Sequence, residues 1–201
     1  MAKRPSERDV CRALAMDYRR DGWYAVSHVN LPRLSTWRCL NLLEQIGHPE
    51  QPEIDVLAYN PKRDTLHGIE VKYFRYGKVK TVLKTAFNEE IPVHEVKPKS
   101  YYEGIDEAHA LLNFGVDFAW LCHVFDKNVS STIVKKYSKW TSKILRCTYI
   151  GYLVITLPSS AIKKLCEPER NPLLEERELR TLRTCLIRAL KEERNAKPIN
   201  K

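Results

Sequence analysis

Pro52-Glu-Ile-Asp-Val-Leu-Ala-Tyr-Asn-Pro-Lys-Arg-Asp-Thr-Leu-His-Gly-Ile-Glu-Val-Lys-Tyr-Phe74 holds two strands and the turn between them. Residues 53–59 alternate, Asn60 to Asp64 carry turn chemistry, and Leu66 to Phe74 form a second strand, so a β-hairpin is predicted. A turn symmetric about Lys62 and Arg63 sets Tyr59 against Leu66, Leu57 against Gly68, and Asp55 against Glu70. Opposed antiparallel residues have Cβ atoms about 4.5–5.5 Å apart, a destabilising place for two like charges unless a cation lies between them. Lys72 points the same way as Glu70, because strand side chains alternate with period two. Leu57, Leu66 and Phe74 share that face, so the polar cluster is expected within a partly apolar surface where a bound cation would relieve it. The competing reading is a solvated Glu-Lys pair, and a bulge would move Asp55 away from Glu70.

Working outward, Ser6 and Asp9 form a capping box for a helix over 6–20 whose stripe is Val10, Cys11, Leu14 and Tyr18. Glu7 falls on that stripe and should face the sheet, although an acid in the first turn is also favoured by the helix dipole alone. Residues 23–30 read as a strand and 37–45 as a short helix. Residues 75–100 read as a long basic loop with a short helix over 82–88. A helix over 101–115 carries Ile105, Ala108 and Leu112 on one face, and 118–125 is a buried strand. Residues 130–145 form a helix with the stripe Ile133, Tyr137, Trp140 and Ile144, and 149–157 form a strand. Past Pro168, Asn171 caps and Pro172 begins a last helix with the seam Leu179, Leu182, Leu186 and Leu190. This alternation predicts an α/β fold with a central mixed sheet flanked by helices, divided as a domain over 1–166 and a C-terminal helical extension over 167–201.

The chain has 201 residues, 43% hydrophobic and 29% charged, which excludes a disordered chain; 7 Gly and 11 Pro exclude collagen-like and low-complexity classes. Lys and Arg number 34 against 25 Asp and Glu, a net charge of +9 that implies an acidic partner, most commonly nucleic acid. The apolar run Tyr149 to Leu157 is too short to span a bilayer, and the basic start lacks an apolar signal core, so no membrane association and a cytoplasmic location are expected. Six cysteines without a C-x-x-C pair read as reduced thiols, with a cluster assembled from distant positions left open. The histidines show no metal-motif spacing, and Ser159-Ser160 lacks the context of a nucleophile elbow.

Pro52-Glu-Ile-Asp55, fourteen intervening residues and then Glu70-Val-Lys72 resemble the signature of the PD-(D/E)XK nuclease superfamily, and the order α-β-β-β-α-β from residue 6 to about 125 is similar to its core. The proline stands three residues before Asp55 rather than beside it. The resemblance implies a restriction-endonuclease-like core and a metal-dependent nuclease hydrolysing phosphodiester bonds, with DNA the favoured substrate and 5′-phosphate and 3′-hydroxyl ends. It implies that Asp55 and Glu70 hold Mg²⁺, with Mn²⁺ able to substitute, joined by the Val71 backbone carbonyl and by Glu7 on the first helix. Clustered carboxylates suit such hard ions better than zinc. Lys72 would act as a cation on the water or the phosphate. Some relatives carry a Gln on the next helix; Asp106, Glu107 and His109 stand there instead.

Arg75, Tyr76, Lys78, Lys80 and Lys84 follow the catalytic strand as a cationic and aromatic stretch suited to nucleic acid. Lys135, Lys136, Lys139 and Lys143 form a second basic face, read first as the solvated surface that an amphipathic helix needs. The leucine seam is expected to pair two subunits as a homodimer. Two alternatives remain: a non-catalytic nucleic-acid-binding or assembly subunit of the same fold, and a Holliday-junction-resolvase-like enzyme.

Overall fold

A computed structural model describes residues 5–30, 53–74, 81–84, 90–93, 103–157 and 161–199. Helix α1 (Glu7–Arg20) starts at the capping box: Ser6 accepts from the Asp9 amide and Asp9 reaches back to the Ser6 amide. It leads into β1 (Tyr24–Asn30). The hairpin of β2 (Glu53–Asn60) and β3 (Thr65–Phe74) follows, with Asn60 accepting from the amides of Lys62 and Arg63 to fix the turn. After a two-stranded ribbon of β4 (Thr81–Lys84) and β5 (Glu90–Val93) come α2 (Ile105–Ala110), a 3₁₀ turn (Leu111–Phe114) and β6 (Phe118–Phe125). Helix α3 (Ser131–Leu145), β7 (Gly151–Thr156), β8 (Ala161–Cys166), a second 3₁₀ turn (Pro172–Glu175) and α4 (Arg177–Glu192) complete the principal elements.

Six strands form one open mixed sheet in the order β1-β2-β3-β6-β7-β8. The β3–β6 and β6–β7 pairs are parallel and the other three antiparallel, so the α2 and α3 segments are the crossovers that parallel neighbours require. Helix α1 covers one face, packing Val10, Cys11 and Leu14 on Val56, Ile69, Val71, Cys122 and Leu153. The opposite core joins Leu57, Leu66, Phe74, Leu121 and Phe125 to Ala108 and Leu111, to Tyr137 and Leu145, and to α4. Among the described residues no helix is long and apolar enough to cross a membrane.

Several expectations need correction. The first half of the helix expected over 82–88 is β4, paired with β5; the expected helix over 37–45 lies outside the described residues. Strand β8 was not expected: its five residues Ala161 to Leu165 are exposed and include Lys163 and Lys164, so an edge strand carried no alternating signal. On α3 the buried set is Tyr137, Ser138, Thr141 and Leu145, whereas Trp140 is 44% exposed, a rotation of the stripe read from the letters. Asn171 and Pro172 cap the 3₁₀ turn and not the long helix. The leucine seam does not await a second subunit. Leu179, Leu182, Leu186 and Leu190 are all buried in the chain's own core, which removes the ground for the homodimer. Gly115, at φ +73, lets α4 approach, since a Cβ there would meet the Leu179 carbonyl at 2.7 Å.

Candidate active site

The expected register holds near the turn, where Tyr59 pairs with Leu66 and Leu57 with Gly68, and the β2–β3 ladder extends to Val56 and Ile69. There the two strands part. The next β3 amides that would have faced β2 are taken by side chains: Val71 N–H donates to Asp55 Oδ2 at 2.8 Å, and Tyr73 N–H donates to Glu7 Oε2 at 3.0 Å. Carboxylates from β2 and from the first turn of α1 thus replace a missing strand along the edge of β3. Glu7 faces the sheet, as its position on the α1 stripe required.

Asp55 does not share the face of Leu57, contrary to the alternation argument. Ile54 and Leu57 both lie in the core under α2 to α4, and so do Val29 and the half-buried Val26 of β1. A spacing of three on both strands means that each carries one extra residue at the same level, His28 opposite Asp55, between the paired rungs Ser27–Val56 and Val29–Ile54. His28 takes φ +54 at this kink. Because both strands kink together, the register is kept while the facing of Asp55 is reversed, toward Cys11 of α1.

Glu70 and Lys72 keep the predicted face. Lys72 Nζ lies 2.8 Å from Glu70 Oε1 and 2.8 Å from Glu107 Oε1 on α2. Gly104, at φ +81 before α2, makes room for this lysine: a Cβ would meet Lys72 Cγ at 2.9 Å and Leu121 Cδ1 at 2.8 Å. Neighbouring His123, aligned with Lys72 across the β3–β6 pair, is held between the Glu103 carbonyl and the Tyr152 hydroxyl, and burial lowers it to about 4.

The electrostatics are those of acids in excess. Burial, followed by Asp55, pushes Glu70 up to about 7 despite the ammonium of Lys72. Burial also raises Asp55; the Val71 amide opposes this, and the nearby Glu7 adds to it. Burial alone would lower Lys72, but Glu107 and Glu70 outweigh it and the net shift is upward, so Lys72 is a firm cation. Among the described residues no hydrogen bond engages Asp55 Oδ1 or Glu70 Oε2. Buried carboxylates with spare oxygens and too little positive charge form a donor set that fits a hard dication.

The sequence offered Glu107 on the next helix without a role, since its link to Lys72 is purely tertiary, and it gave no sign of His28, which no motif marked. Of the expected nucleic-acid-binding residues, Arg75, Tyr76, Lys78 and Lys80 lie outside the described residues; Lys84 ends β4. Lys135, Lys136, Lys139 and Lys143 are exposed. Three of them, Lys135, Lys139 and Lys143, line a groove on α3 with Arg146 and with Lys163 of β8. No protein-family model, curated protein or solved structure matches the chain.

Proposed function

We propose that this chain is a metal-dependent nuclease with a restriction-endonuclease-like core, hydrolysing phosphodiester bonds in nucleic acid, with DNA the favoured substrate. The observation that carries this reading is the split between β2 and β3, which Glu7 and Asp55 line from the α1 side and Glu70 with Lys72 from the α2 side, close enough for Asp55 to raise Glu70. The residues fit Mg²⁺ or Mn²⁺ held by Asp55 and Glu70. Glu7 and the carbonyl of Val71 are the further oxygens nearby; in an extended strand that carbonyl points the same way as the Val71 N–H, toward the split.

A bound dication would supply an acidified water and neutralise phosphoryl charge. The chain's own contribution is positional. The Val71 amide fixes Asp55 through one carboxylate oxygen, and the other would be left for an ion. Glu107 and Glu70 hold Lys72 from two sides and keep it protonated, placing a permanent cation beside a phosphate that approaches the split. Gly104 leaves room for the lysine stem, which a Cβ there would meet at Cγ and Cε. The basic groove of α3 and β8 and the net charge of +9 support a polyanionic substrate.

The test is a panel of labelled duplex, nicked, single-stranded and branched DNA and of RNA, with Mg²⁺, Mn²⁺ or EDTA. Cleavage should need the ion, and Asp55→Ala, Glu70→Ala or Lys72→Ala should lower it by about a hundredfold or more while binding survives. Binding without cleavage of any substrate would favour the non-catalytic subunit. Preference for branched DNA would narrow the reading to a junction resolvase.

A further inference from the structure

The kink that turns Asp55 toward α1 brings together three groups that the nuclease reading does not require as a set. The Cys11 sulfur, a ring nitrogen of His28 and a carboxylate oxygen of Asp55 all lie within 4.8 Å of one another. Donors around a tetrahedral zinc-class ion, with metal–sulfur near 2.3 Å and metal–nitrogen near 2.0 Å, stand about 3.5 Å apart, so a closure of roughly 1 Å completes the set.

We propose that Cys11, His28 and Asp55 form a second cation site, for a borderline-soft dication such as Zn²⁺ or Co²⁺, at the kink between β1 and β2.

Three features beyond proximity support it. His28 Nδ1 lies 3.2 Å from Glu53 Oε1, while Nε2 is buried and has no hydrogen-bond partner among the described residues. Nδ1 also lies 3.9 Å from Asp55 Oδ1, so the Glu53 carboxylate holds the ring in place beside Asp55 and Cys11, as carboxylates do for metal-binding histidines. The backbone of His28 is left-handed, a conformation uncommon outside glycine that is maintained where the surroundings require a particular side-chain direction. The donor set itself is of mixed type: thiolate and imidazole select zinc-class ions over Mg²⁺, which prefers oxygen. Asp55 and His28 are partly exposed, which gives an ion a way in although the sulfur is buried.

Asp55 would belong to both sites, so an ion held by Cys11 and His28 would withdraw that carboxylate from Mg²⁺; this consequence alone rests on the nuclease reading.

The test titrates the full-length, reduced, metal-free chain with Co²⁺ and follows absorption. One equivalent should give the intense visible bands of four-coordinate cobalt and a near-ultraviolet sulfur-to-cobalt charge-transfer band, both quenched by Zn²⁺. Cys11→Ser should lose the charge-transfer band, and His28→Gln, at a partly exposed position less prone to unfold the chain, should weaken binding by about tenfold or more. Cys147→Ser, which alters an exposed thiol, should leave the spectrum unchanged. No charge-transfer band in the wild type, or a band that survives Cys11→Ser, or unaltered binding in His28→Gln, would overturn the site. The readout needs no catalysis, so a negative spectrum beside intact cleavage removes this site and leaves the nuclease reading in place.

Discussion

Strand β3 meets buried carboxylates at both of its ends, and the two ends treat them oppositely. Near its start, Asp117 is 1% exposed and receives the Leu66 amide at 2.7 Å and Arg183 Nε at 2.7 Å, with Arg170 Nη2 at 3.6 Å from its other oxygen. Arg183 also reaches Asp64 at the hairpin turn. Two guanidiniums serve one fully buried acid, and the result ties α4 to the sheet. Near the other end Lys72 is paired with Glu70 and Glu107, while Asp55 and Glu7 are met by the backbone amides of Val71 and Tyr73. Glu70 is buried as Asp117 is, and Asp55 and Glu7 are partly so, but the compensation differs. A buried acid with its charges matched is part of the scaffold, whereas buried acids left short of positive charge store a potential that only an added cation can neutralise.

The largest effect that can break this comparison is on the matched end. Arg183→Leu leaves Asp117 buried with only a distant, exposed arginine, so stability should fall by about 3–5 kcal/mol, measured by urea unfolding. A loss below about 1 kcal/mol would show that the Leu66 amide and Arg170 suffice, and the two ends would no longer be opposites.

The unmatched end should respond with the contrary sign. Glu70 is raised from its ordinary value near 4.5 to about 7, so between those values the folded chain holds a proton that the unfolded chain has released. The Glu70 contribution to the stability of the metal-free protein therefore falls as pH rises from about 4.5 to about 7 and stays low above, against the opposite trend of the buried His67 and His123. Glu70→Gln removes this loss: at pH 8 the variant should be more stable than wild type, by at most about 3 kcal/mol, and the difference should vanish below pH 4.5. The same proton competes with a dication, so Mn²⁺ affinity measured by calorimetry should climb up to about tenfold per pH unit below 7 and level off above. A stabilising effect of Glu70→Gln that is flat across this range would mean that the carboxylate is charged throughout.

How much of this was legible depends on which physical rule each feature obeys. The hairpin, its turn and the face of Glu70 and Lys72 follow from local chemistry and period two, and the letters from Asn60 to Asp64 state them. The facing of Asp55 did not follow, because a kink shared by His28 and Asp55 reverses the alternation while leaving the register intact; such a paired irregularity has no residue signature. The seam of α4 was visible as a seam, but amphipathicity says that a face is buried and not whether the cover comes from the same chain. Glu107 lay in plain view on a helix; its meeting with Lys72 is decided by how α2 crosses β3, which no spacing in the sequence encodes.

The smallest effect concerns what carries a polyanion to an acid-rich split. Carboxylates repel phosphate until an ion is bound, so approach must be driven by cations elsewhere, and the described residues offer the groove of Lys135, Lys139, Lys143, Arg146 and Lys163. These side chains are solvated, and each should contribute little to fold stability. Replacing Lys135, Lys139 and Lys143 with Gln should leave unfolding unchanged and weaken binding across sequences by roughly tenfold at moderate salt. The slope of log affinity against log salt should become shallower by about 0.9 for each duplex phosphate that is no longer neutralised, or about 0.7 on a single strand. The parallel variant Lys78, Lys80 and Lys84 to Gln tests the run that follows β3. Whichever triple flattens the slope marks the path of the backbone, because a lysine that touches no phosphate releases no counterion on binding. If both flatten it by comparable amounts, the substrate contacts both stretches, and the split between β2 and β3 then draws its positive charge from two parts of a chain that withholds it locally.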